Sequence, residues 1–91
     1  MFRKGRKLGT MRFVIRPDGS VGRVFLAGDF TNWLPVRMRK AKAGAFAVTV
    51  PLSEGTHEYK FIVDGRWMID PDNASSAANP YGTANSLVQM E

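Results

Sequence analysis

Five side chains in this sequence have types and positions suited to holding a sugar: Trp33, Lys60, Trp67, Tyr81 and Asn85. Trp33 closes the stretch "AGDFTNW", directly after an apolar run, and Trp67 follows the Asp64, Gly65 pair. Tryptophan is an expensive residue to leave at a strand end unless it packs or binds, and both indoles stand off the alternation that would fill a core. A pyranose offers an apolar C–H face and a rim of hydroxyls. The C–H face stacks on an indole, worth about 0.5–1.5 kcal/mol per ring beyond the buried area if aromatic-pair values transfer. The rim needs donors and acceptors: a lysine ammonium only donates, while a carboxamide does both, so Lys60 and Asn85 together can grip two neighbouring hydroxyls. Tyr81 adds a further aromatic in a loop. Two indoles set at an angle suit a curved α-1,4-glucan better than a flat chain. Each polar contact nets only about 0.5–1.5 kcal/mol against water, so such a site binds in the micromolar to millimolar range.

Other chemistries find less support. His57, beside a turn with Glu54 and Glu58 nearby, reads as structural or solvated. Asp64, Asp70 and Asp72 invite a glycosidase reading, which needs two carboxyls a few ångström apart across a cleft. Asp64 is better used as the turn residue before Gly65, Asp70 and Asp72 flank Pro71 in a loop, and a 91-residue chain leaves little volume for a cleft. No enzyme activity, metal or cofactor is expected. Without cysteine there is no thiolate site or disulfide, which favours a reducing, cytoplasmic setting. No apolar run reaches membrane-spanning length, so no membrane role is expected.

The net charge of +5 is unevenly placed. Arg3, Lys4, Arg6, Lys7, Arg12 and Arg16 stand among residues 1–16 with no acid, giving +6, and the other residues sum to −1. Residues 1–9, with four bases and two glycines, read as a disordered arm, and residues 10–91 as one domain. The arm's charge lies outside the aromatic positions, so nucleic acid is not expected as a partner of one combined site. It remains a rival reading, as does a module that binds protein through its edge strands.

The elements that must position these residues read as strands. Met11, Phe13 and Ile15 alternate with Arg12, Val14 and Arg16; residues 23–28 form a second strand; a short segment follows near 37–40. Phe46, Val48 and Val50 mark one face of a strand over 45–50, and Tyr59, Phe61 and Val63 one face of a strand over 57–63. The turn residues 53–56 between those two predict an antiparallel hairpin. Asp64 and Gly65 turn the chain into a short strand at 66–68. Residues 70–85 read as a long loop, and residues 86–90 as a last strand. Six or seven short strands and no helical period predict an antiparallel β-sandwich.

The runs "VFLAGDFTNW", "LSEGTHEYKFIVDGRWMIDPDN" and "GTANSLVQM" closely resemble the glycogen-binding module. That module occurs in the β subunit of AMP-activated protein kinase and beside the catalytic domains of branching and debranching enzymes. The resemblance covers about residues 11–90. It implies an all-β, immunoglobulin-like early-set sandwich that binds α-1,4-glucan (glycogen, starch or maltooligosaccharides) without cleaving it, with a glycogen-metabolising enzyme or kinase as the kind of protein partner. It implies stacking for Trp33 and Trp67, hydroxyl contacts for Lys60 and Asn85, and a site-shaping role for Gly82 and Thr83. Tyr81 stands where the kinase subunit often has leucine. Aspartate at 29 and threonine at 31 replace a more usual serine and asparagine, and little is expected of either.

Overall fold

Alternating apolar residues give two antiparallel sheets, and a computed structural model describes residues 2–91 of the chain. The first sheet holds β1 (Phe2–Lys4), β2 (Thr10–Ile15), β6 (Phe46–Pro51) and β5 (Arg39–Lys40), in that order. The second runs β4 (Val36–Arg37), β3 (Val24–Gly28), β7 (Gly55–Val63), β10 (Ala84–Met90) and β9 (Ser76–Ala78). β8 (Arg66–Met68) also pairs with β7. Met11, Phe13, Ile15, Phe46 and Val50 of the first sheet meet Leu26, Tyr59, Phe61 and Val88 of the second in one buried cluster. The chain is therefore the all-β, immunoglobulin-like sandwich expected.

Three expectations about the elements change. β6 and β7 do not form a hairpin but lie in different sheets. β6 already has β2 and β5 on its two edges, and β7 has β3 on one edge with β10 and β8 on the other. After Pro51 the chain buries Leu52, whose N–H donates to the Gly9 carbonyl, and crosses the core. Second, the arm expected to be disordered over 1–9 is not free across Phe2–Lys4, which adds an edge strand to β2. Phe2 supplies the reason, packing against Phe13 with ring centroids 6.2 Å apart; residue 1 lies outside the described residues. Third, the loop expected over 70–85 contains β9, paired with β10.

That loop is pinned by a buried polar network. Tyr59 Oη donates to Asp70 Oδ2 at 2.7 Å and accepts from Asn73 Nδ2 at 3.0 Å. Asn73 Nδ2 also reaches the Leu87 carbonyl, and the Asp70 N–H donates to Ser86 Oγ at 2.8 Å. Burial, with the neighbouring Asp70 carboxylate adding to it, pushes the Tyr59 phenol far above its ordinary range, so its proton is retained.

Candidate functional site

The outer face of the second sheet is where β7 presents Glu58, Lys60 and Ile62. Cross-strand neighbours share a face, so Ala27 stands beside Lys60, and Phe25 and Trp67 flank Ile62. β10 is in register with Tyr59 at Ser86, which places Asn85 beside Lys60. β8 follows in line with β10 along the same edge of β7. The Asp64, Gly65 turn that makes this possible has both residues at positive φ, 47° and 85°, the geometry of a tight hairpin turn. Trp67, 52% exposed, therefore stands over the sheet on a rigid strand.

Trp33 reaches the same surface by another route. After β3 the chain makes a single 3-10 turn, Asp29–Thr31. Thr31 Oγ1 accepts the Gly28 N–H and donates to the Gly28 carbonyl, both at 3.0 Å. Asn32 and Trp33 then both take left-handed backbone, φ 54° and 58°. Such a conformation costs roughly 1–2 kcal/mol for a residue other than glycine, and for tryptophan it is an outlier. It is held by the Trp33 N–H to the Gly28 carbonyl at 2.8 Å and the Leu34 N–H to Thr31 at 3.1 Å. Asp29, of which little was expected, locks the turn to β7: its carboxylate accepts the Glu58 N–H and bonds His57 Nδ1, each at 2.9 Å. His57 Nε2 reaches the Ser53 carbonyl at 2.9 Å, a structural role.

The third wall is the segment between β9 and β10. Asn79 organises it. Its Oδ1 accepts the N–H groups of Tyr81 and Thr83, and its Nδ2 donates to Thr83 Oγ1 at 2.6 Å and Asn85 Oδ1 at 3.2 Å. Gly82, at φ 80°, supplies the turn beneath Tyr81, whose side chain is 90% exposed. Lys60 Nζ donates to Thr83 Oγ1 at 3.1 Å, and Asn85 Nδ2 to Glu58 Oε1 at 2.9 Å.

These walls enclose an open groove of about 570 Å³. Of the seven residues singled out in the sequence, Trp33, Lys60, Trp67, Tyr81, Thr83 and Asn85 all line it. Gly82 does not, and shapes the loop instead. Asn85 is not an open donor: it is buried in the floor with both ends of its amide engaged. One N–H and one lone pair remain to it, and Lys60 keeps two donors. Asn79, Glu58 and Asp29 also line the groove, although the sequence marks none of them as a site residue. The asparagine before Pro80 was a turn signal; nothing local marked Glu58.

Two of the three aspartates weighed for hydrolysis have engaged carboxylates, and Asp72 is exposed, with its N–H on Asp70 Oδ1 at 2.9 Å. Asp64 Oδ1 accepts the Gly22 and Arg23 N–H groups at 3.1 and 2.9 Å. Asp70 is buried against Tyr59. Among the described residues no cluster of three or more acids or histidines is arranged to hold a metal, and no helix is long and apolar enough to cross a membrane.

Residues 11–91 match the family described as the glycogen recognition site of AMP-activated protein kinase. The beta-1 subunit of 5'-AMP-activated protein kinase from Sus scrofa is 35% identical over 78 residues, 86% of this chain and 62% of that protein. The Homo sapiens beta-1 subunit is also 35% identical over 78 residues, which make up 28% of its length. The chain thus spans less than two thirds of these curated relatives. Among solved structures, a maltogenic amylase from S. marinus superposes with a TM-score of 0.82 at 22% identity, over 100% of this chain and 16% of its own. An enterochelin esterase from Shigella flexneri gives 0.78 at 19% identity, over 98% of this chain and 32% of its own. These two share the fold.

Proposed function

The chain belongs to the family of the glycogen recognition site of AMP-activated protein kinase, and from that premise we propose that it is a non-catalytic module binding α-1,4-glucan. One observation carries the reading: the two indoles and the Tyr81 phenol border a single groove whose floor holds Lys60, Thr83 and Asn85. Trp67 and Trp33 are the stacking platforms for successive glucose rings, and Tyr81 closes the lip. Lys60 directs its two remaining N–H donors, and Asn85 its remaining N–H and lone pair, to the hydroxyl rim. The groove is open and shallow, so affinity rests on a few contacts and stays in the micromolar to millimolar range. The module brings a partner protein to the polysaccharide, as an enzyme of glycogen metabolism or a kinase would require. The cysteine-free chain suits a reducing, cytoplasmic setting.

Titration with a linear maltooligosaccharide, followed by tryptophan fluorescence, tests this. The wild type responds and saturates. Trp67→Ala loses most of the affinity while Trp33 remains to report folding and residual binding. Lys60→Met weakens binding by roughly tenfold, about one charged hydrogen bond. A wild-type protein that leaves immobilised glycogen untouched, or a Trp67→Ala variant with full affinity, refutes the proposal.

A further inference from the structure

The cations of this molecule are concentrated in the segments that build the first sheet, with Arg37 of β4 at its border. Residues 1–17 and 30–53, which supply all four strands of the first sheet, contain ten of the 13 lysines and arginines and none of the eight acids. The pairing of Arg3 with Arg12, and of Arg12 with Thr49, puts these side chains on one face of that sheet. Since Phe13 and its alternates fill the core, this face is the outer one, on the opposite side of the sandwich from the groove. There Arg3, Lys4, Arg6, Lys7 and Arg12 line a concavity of about 750 Å³. It continues through Arg12 and Thr49 into a second, lined by Arg37, Arg39 and Lys40. Among the described residues the single ion pair joins His57 to Asp29, so none of these cations is neutralised by a carboxylate. Arg12 Nε is buried without a hydrogen-bond acceptor.

We propose that this trough is a second binding site, for the phosphate backbone of a nucleic acid duplex. A trough of arginine forks, ammonium groups and threonine hydroxyls with no carboxylate is the donor set that phosphate oxygens take. Three features select the occupant. A protein partner would want an apolar centre, and the trough has none of the exposed large apolar residues except Leu8 at its tip. A bilayer would meet a flat face carrying more than one such residue. Single strands want aromatic platforms, and the exposed ones, Trp67 and Tyr81, belong to the other sheet. β1, β2 and β5 carry cations, and with β6 between β2 and β5 the sheet, at about 4.8 Å strand spacing, spans roughly 14 Å. Over that length a duplex presents about eight phosphate charges, about four on one side. The arm's distance from the aromatic patch argued against one combined site; two opposite faces remove that objection. The tip of this hairpin also lies outside the region matched to the family, which begins at residue 11.

The test is fluorescence anisotropy of a short labelled DNA duplex of mixed sequence, with salt raised from about 50 to 200 mM. Four contacts predict a log–log slope of about −3.6 and a loss of roughly 100-fold over that range, equal for scrambled sequences. The double variant Arg6→Glu, Lys7→Glu changes two exposed residues outside the core; it binds duplex at least tenfold more weakly and keeps its glucan affinity. The maltooligosaccharide titration is run separately, so failure of one site is distinguishable from failure of the other. Absence of duplex binding at low salt, full duplex affinity in the double variant, or capture by phosphatidylserine vesicles while duplex stays free would each overturn the proposal.

Discussion

Asn79→Ala tests whether the polar floor of the groove is organised by a residue that need not touch sugar. The asparagine side chain makes four hydrogen bonds: two accepted from the Tyr81 and Thr83 N–H groups, two donated to Thr83 Oγ1 and Asn85 Oδ1. Water replaces part of what the half-exposed loop loses, so each bond is worth about 0.5–1.5 kcal/mol. The two donated bonds aim groups that face the ligand. Their loss costs about 1–2 kcal/mol of binding, a fall in maltooligosaccharide affinity of roughly 5- to 30-fold. The core is untouched, so the thermal midpoint drops by less than about 8 °C. Asn79→Asp separates the two halves of the role. It retains the acceptor that builds the turn, so the Tyr81 and Thr83 amides stay protected from hydrogen exchange. It sets a second oxygen against Asn85 Oδ1, and Asn85 cannot flip to meet it without turning its own oxygen on Glu58. Affinity therefore falls although the loop stays ordered. Isothermal titration of the two variants decides the matter. If Asn79→Ala binds within about twofold of wild type, the floor does not depend on this residue and the reasoning is wrong.

Three further outcomes concern the scaffold. Gly28→Ala would put a Cβ 2.5 Å from Phe30 Cε1 and 2.7 Å from the Glu58 carbonyl oxygen; since the second is backbone, overpacking costs about 1–3 kcal/mol, read as a lower urea midpoint. Tyr59 has its phenol pKa raised by burial, so above about pH 10 the unfolded chain releases a proton that the native state keeps. Stability then falls with rising pH by up to about 1.4 kcal/mol per unit, and urea titrations of Tyr59→Phe between pH 9 and pH 11 should show a flatter dependence from a lower starting value. Asp29→Ala leaves the Glu58 N–H and His57 Nδ1 without their acceptor, and the expected loss is about 1–3 kcal/mol, together with weaker glucan binding because the turn that presents Trp33 loosens.

What could be read from the chain followed from period and turn chemistry. Met11, Phe13 and Ile15 are all buried, as their alternation requires, and the Asp64, Gly65 pair makes the hairpin it signals. The groove was legible in part because Lys60 alternates with the core residues Tyr59 and Phe61, while grouping it with the two indoles, Tyr81 and Asn85 leaned on the resemblance to the glycogen-binding module. The β6 to β7 connection was not legible, since its turn residues serve a hairpin and a crossing equally well. The crossing buries Leu52, and burial is a property of the whole fold. The same holds for Phe2, whose only argument for order is the space beside Phe13 and Tyr59. Asp29 was underrated because its partners, His57 and the Glu58 N–H, are far away in sequence.

The aromatic borders of the groove are not equivalent, and the difference follows from where their ordering cost is met. Trp33 is fixed by two consecutive left-handed residues and by the bonds around Gly28, so its placement is settled when the protein folds. Trp67 is carried by β8, directly across from Ile62 on β7. Tyr81 has a tethered backbone, but its side chain is 90% in solvent. A ligand that stacks on Tyr81 must immobilise it, at about 0.5–1.5 kcal/mol, close to what the stacking returns. On the proposed glucan reading, Tyr81 therefore adds little to affinity for a short glucan. Its gain grows only when a longer chain, already held by the two indoles, passes beneath the phenol. The proposed glucan reading therefore predicts that Tyr81→Leu changes chain-length preference rather than affinity for a single glucose, which titration with maltooligosaccharides of increasing length checks.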